Sequence, residues 1–89
     1  MKRDRLKVIH DILKIIKDNN NSIKPTPLLR YSNLSTKSFN DYMNELVERK
    51  LVKQILDNKN KKVITLTDKG FQYLEKYRVI VGFIEDFGL

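Results

Sequence analysis

Eighty-nine residues make one domain, read as residues 1–89 without an internal boundary, and leave no room for a second. At 40% hydrophobic and 33% charged residues, with 3 Gly and 2 Pro, the composition is neither disordered nor fibrous, and zero cysteines exclude a disulfide framework, a zinc knuckle and a thiol nucleophile. A net charge of +7 is a strong bias for so short a chain and points to a polyanionic partner.

Leu6, Ile9, Ile12, Leu13 and Ile16 recur on one helical face between Arg5 and Asp18, with Val8 and Ile15 widening the stripe. Asn19-Asn20-Asn21-Ser22 supplies turn chemistry. The chain restarts at Pro25-Thr26-Pro27, where Thr26 is read as an N-cap and Pro27 as the first residue of a short second helix. Ser35 reads as the cap of a third helix ending near Lys50, with Phe39, Tyr42, Met43, Leu46 and Val47 as its apolar positions. Leu51–Leu56 and Val63–Leu66 are short aliphatic runs joined by Asp57-Asn58-Lys59-Asn60-Lys61-Lys62, the pattern of a β-hairpin. Thr67 caps a last helix across 67–87, with Asp68 at the end where the helix dipole favours an acid. The fold class expected is α+β, mostly helical.

Three stretches carry a family resemblance. Asn33-Leu34-Ser35 with Phe39, Tyr42, Met43 and Leu46 resembles the turn and recognition helix of small archaeal winged helix-turn-helix proteins. Ile64-Thr65-Leu66-Thr67-Asp68-Lys69-Gly70, followed by Leu74, is similar to the strand-to-helix junction of winged-helix regulators. Phe83-Ile84-Glu85-Asp86-Phe87-Gly88-Leu89 resembles the ending of the archaeal family. The resemblance implies three helices, a two-stranded wing and a C-terminal helix. It further implies double-stranded DNA binding, a role in transcription regulation or chromosome organisation, and dimerisation through the last helix.

On the third helix, with Phe39, Met43 and Leu46 inward, Lys37, Asp41, Asn44 and Glu48 point outward beside Ser38 and Asn40. Residues in the first turns of a recognition helix reach base edges. There Lys37 suits guanine, Asn40 and Asn44 suit adenine, and Asp41 suits cytosine. Thr36 and Ser38 suit phosphate at the helix start. Glu45 and Glu48 are expected to repel phosphate. Lys59, Lys61 and Lys62 crowd the hairpin loop, where they would neutralise backbone charge with little sequence information. Seven basic residues against three acidic ones in 1–24, and five against two in 51–69, place the positive charge on the arm and the hairpin. Lys2, Arg3 and Arg5 of the arm are candidates for phosphate contact. A solvated helix face and a charged, pairing-resistant edge are the plainer readings of the same residues.

The last helix carries two apolar stripes. Phe71, Leu74 and Val81 are expected to pack inward, Phe71 and Leu74 against the first helix. Tyr73, Tyr77, Ile80, Ile84 and Phe87, spaced alternately four and three, read as the seam of a homodimer. The alternative is that Val8 and Ile15 of the same chain cover that stripe.

Catalysis finds little support. His10 is placed on an exposed part of the first helix beside Asp11, with no nucleophile in view. Asp4, Asp11 and Asp18 read as partners of Lys7 and Lys14. Three scattered glycines build no phosphate loop. A non-enzyme without cofactor or metal is expected. No apolar run approaches the roughly 20 residues of a membrane span, and Met1-Lys2-Arg3-Asp4-Arg5 does not open a signal peptide. A cytoplasmic, nucleoid-associated protein without membrane contact is therefore expected. The competing function is a winged-helix protein-interaction module without direct DNA contact, which would favour an apolar or acidic face on the third helix. RNA binding would favour exposed aromatics, but Phe39 and Tyr42 fall on the core side.

Overall fold

The computed structural model describes residues 4–89. Its elements run α1 (Arg5–Asp18), α2 (Pro25–Ser32), α3 (Thr36–Glu48), β1 (Val52–Leu56), β2 (Lys62–Leu66) and α4 (Asp68–Asp86). Each boundary has a local cause. Asp4 caps α1 by accepting from the Lys7 amide, and Ser35 caps α3 by accepting from the Ser38 amide. Thr67 caps α4 by accepting from the Gly70 amide. The second helix departs from expectation: it starts at Pro25, with Lys24 at the cap position and no side-chain cap hydrogen bond. Proline has no N–H to leave unsatisfied at a helix start, so Pro25 takes the first position and Thr26 is not the cap.

The periodic stripe of α1 is the centre of the core. Ile12, Leu13 and Ile16 are fully buried, and Leu28 of α2, Leu46 of α3 and Ile64 of β2 close around them. Burying each such side chain stabilises the fold by about 1.5–3 kcal/mol. Val47, one of the apolar positions of the third helix, is 42% exposed. It lies at the edge of the α3 stripe, where the chain already turns toward β1.

The hairpin is antiparallel, pairing Val52 with Leu66 and Leu56 with Lys62. A third segment joins it. Ile23 and Ile64 exchange backbone hydrogen bonds of 2.8 and 3.2 Å, and the Asn21 side-chain oxygen accepts from the Leu66 amide at 2.7 Å. One apolar residue between Ser22 and Lys24 has no period, which hid this bridge from sequence reading.

The junction before α4 is tight. The Thr67 hydroxyl donates to the Lys50 carbonyl, and Lys69 Nζ donates to the Arg49 carbonyl at 2.9 Å. Gly70 packs so closely that a Cβ there would be driven into the Leu51 carbonyl oxygen, a backbone atom that cannot swing away. Replacing Gly70 with Ala is therefore expected to destabilise the fold by about 1–3 kcal/mol. Urea denaturation checks this, and an unchanged midpoint would refute the close approach.

Candidate nucleic-acid interface

The turn from α2 to α3 is built from three features. Asn33 adopts the left-handed conformation, φ 58°, which asparagine tolerates better than most residues. Buried Ser32 donates its hydroxyl to the Leu29 carbonyl at 2.7 Å, and the Leu34 amide leans on the same oxygen at 3.4 Å. Leu34 packs on the core. The helix-turn-helix angle is thus fixed by side chains, and α3 is held by Phe39, Met43 and Leu46.

With that face buried, Thr36, Lys37, Asn40, Asp41 and Asn44 are exposed together and Ser38 is half-exposed. Five of the six residues named on this helix are therefore solvent-exposed, with Ser38 at the margin of the buried face. Lys37 and Asp41 pair along the helix at 3.2 Å while both remain well exposed, so the contact is weak and easily exchanged. Glu48 is exposed on the same helix. Glu45 is not a free acid: Arg5 and Arg49 both pair with it, Arg49 through Nε at 2.9 Å. Its repulsion of an anion is offset, and Arg5 is tied to α3 rather than loose in an arm. Lys2 and Arg3 lie outside the described residues.

The hairpin tip presents Lys59, Lys61 and Lys62, all exposed. Asp57 organises it. Its carboxylate accepts the backbone amides of Lys61 and Lys59, each at 2.8 Å, and Asn60 turns the chain at φ 63°. The Lys61 amide, then that of Lys59, holds the Asp57 carboxyl below the usual carboxylate range. A depressed folded value contributes stability that is complete above the unfolded pKa and lost as pH falls through the folded one. The Lys59 and Lys61 amide shifts should accordingly titrate with a midpoint below about 3.9. A midpoint above that value would contradict the turn.

Between α3 and β1 an open groove is lined by Asn44, Val47, Lys50, Lys53 and Gln54. Lys53 and Gln54 were not singled out from the sequence. Their signal was hidden because β1 is exposed at every position after Val52, so no alternation marks a face.

On α4 the two stripes are distributed differently from expectation. The Tyr73 hydroxyl donates to the Leu6 carbonyl at 2.9 Å, and burial pushes its pKa up, so it stays a donor. Tyr77 stacks on His10 at 4.4 Å between ring centroids. Both tyrosines thus pack on α1 of the same chain. His10 is correspondingly half-buried rather than exposed, with Nδ1 3.0 Å from Asp11. Leu74 packs on the core as expected, whereas Phe71 is 39% exposed. Ile80, Ile84 and Phe87 remain uncovered, joined by Val79 and Phe83, whose ring lies 4.8 Å from that of Phe87. Lys7–Asp11 and Lys14–Asp18 form the expected ion pairs, whereas Asp4 caps the helix. Among the described residues no three His, Asp or Glu side chains converge on a metal-sized site, and no helix is long and apolar enough to cross a membrane.

Known proteins resemble this chain in sequence or in fold. The uncharacterized protein MJ0290 of Methanocaldococcus jannaschii is 33% identical over 84 residues. That alignment covers 94% of this chain but only 36% of the relative, so the chain spans about a third of that protein's length. Sso10a-2, a DNA-binding protein from Sulfolobus solfataricus, superposes with a TM-score of 0.75 at 16% identity, over 96% of this chain and 85% of its own. MepR, a transcription regulator of a Staphylococcus aureus multidrug efflux pump, superposes with a TM-score of 0.77 at 16% identity, over 90% of this chain and 60% of its own. Residues 2–84 match the winged helix-turn-helix family, and the chain belongs to it.

Proposed function

We propose that this protein binds double-stranded DNA as a transcription regulator or chromosome-organising protein. In this reading α3 enters the major groove by its N-terminal end. Lys37, Asn40, Asp41 and Asn44 meet base edges, while Thr36 and Ser38 meet phosphate. Lys59, Lys61 and Lys62 of the wing neutralise the flanking backbone. The observation that carries the reading is the shared exposure of a polar α3 face and a lysine-rich wing on a +7 chain. The DNA-binding and regulatory descriptions of Sso10a-2 and MepR support it. The role is binding without catalysis, in the cytoplasm and on the nucleoid.

The active unit is a homodimer joined through Ile80, Ile84 and Phe87 of α4. Large apolar side chains clustered in water are seldom tolerated by monomers. A two-fold partner would cover them and set two recognition helices about 34 Å apart, toward successive major grooves.

A gel-shift titration against duplex DNA, single-stranded DNA and RNA at two salt concentrations tests the function. Tightest binding to the duplex, weakened by salt, is expected. Preference for either other nucleic acid, or no shift at low salt, would overturn it.

A further inference from the structure

Away from α3 and the wing, a groove of about 390 Å³ lies between α1 and α4. Its apolar lining comes from α4, as Leu74, Tyr77 and Val81. Its rim is cationic, with Lys14 and Lys17 from α1 and Arg78 from α4. Asp18, the carboxylate lining it, is already occupied by Lys14 at 2.7 Å. Lys17 acts on Asp18 only through its charge, and Arg78 makes a long, exposed contact to Glu75 at 3.4 Å, a carboxylate that lies beside both cations. Both cations are thus only loosely engaged where they flank a ligand-sized apolar surface. That combination of an apolar body site and a few convergent charges is the make-up of a small-molecule site. The stack of His10 on Tyr77 and the Tyr73 hydroxyl on the Leu6 carbonyl fix the α1–α4 spacing, so the groove is preformed.

We propose that this groove binds a small amphipathic organic anion. Its apolar body lies on Leu74, Tyr77 and Val81, and its carboxylate or phosphate head sits between Lys17 and Arg78. Val81 is adjacent to Ile80 in the helix that carries the exposed seam, so an occupant would brace α4 against α1. The site shares no residue with the α3 and wing surface, and its test reads the ligand directly, whatever the fate of the DNA reading.

The test is a two-dimensional NMR titration of the full chain with 2-naphthoate, repeated with the neutral analogue 2-naphthalenemethanol. Saturable shifts at His10, Leu74, Tyr77 and Val81 are expected, with a Kd at or below about 1 mM. The Lys17→Glu, Arg78→Glu variant should weaken 2-naphthoate about tenfold while leaving the neutral analogue unaffected. Failure to saturate by about 10 mM, shifts confined to Phe83 and Phe87, or equal affinity in the charge-reversed variant would each overturn the proposal.

Discussion

Affinity for duplex DNA is expected to fall by about three to four orders of magnitude between 50 and 200 mM salt. The estimate assumes that a dimer neutralises roughly five to eight phosphates, which gives a slope of about −4.5 to −7 in log affinity against log salt. In the proposed binding mode the wing would supply a defined share of that slope. Lys59 and Lys61 are exposed, and the Asp57 turn that presents them does not depend on their side chains. Replacing both with Ala should therefore flatten the slope by about 0.9 for each phosphate no longer neutralised, and weaken all duplexes alike. Asn40 and Asn44 behave oppositely if they read bases. Their replacement should cost about 1–3 kcal/mol on a preferred site and little on random DNA. Fluorescence anisotropy over a salt series measures both effects. An unchanged slope in the lysine variant removes the wing from the interface.

The second large effect is expected of the proposed dimer. Ile80 is 52% and Ile84 39% exposed in the single chain. Covering four such side chains across a two-fold axis would contribute on the order of 6 kcal/mol, taking about 1.5 kcal/mol for each. The Ile80→Asp, Ile84→Asp variant should raise the dimer dissociation constant by at least about 10⁴-fold, because it also places like charges across the seam. Sedimentation equilibrium decides it. A wild-type mass of one chain at micromolar concentration rejects the dimer, and an unchanged dimer in the variant rejects this seam.

The elements that were legible in the sequence are those with a period and a cap. The α1 stripe, Ser35 before α3, the two hairpin runs and Thr67 before α4 each announce a local preference that the tertiary structure keeps. What stayed hidden depends on a partner distant in sequence. The Ile23–Ile64 bridge, Asn21 on Leu66 and Tyr73 on Leu6 join segments whose pairing no window of residues contains. The α4 stripes are a further case. Helical spacing groups Tyr73 and Tyr77 with Ile80, Ile84 and Phe87, but only the two tyrosines find partners on α1, at Leu6 and His10. His10 changes its character for that reason, from a lone surface histidine to the ring against which Tyr77 packs. At the candidate interface, the outward residues of α3 could be read from the wheel because the inward ones are fixed by apolar spacing. The Glu45 pairing with Arg5 and Arg49 could not, since Arg5 lies on another helix.

Backbone amide shift mapping with a short duplex reports which surface meets the nucleic acid. Perturbations concentrated at Thr36–Asn44 and at Lys59–Lys62, diminishing as salt is raised, are expected. Perturbations confined to α4 or to the α1–α4 groove, with α3 and the wing silent, would contradict the proposed binding mode.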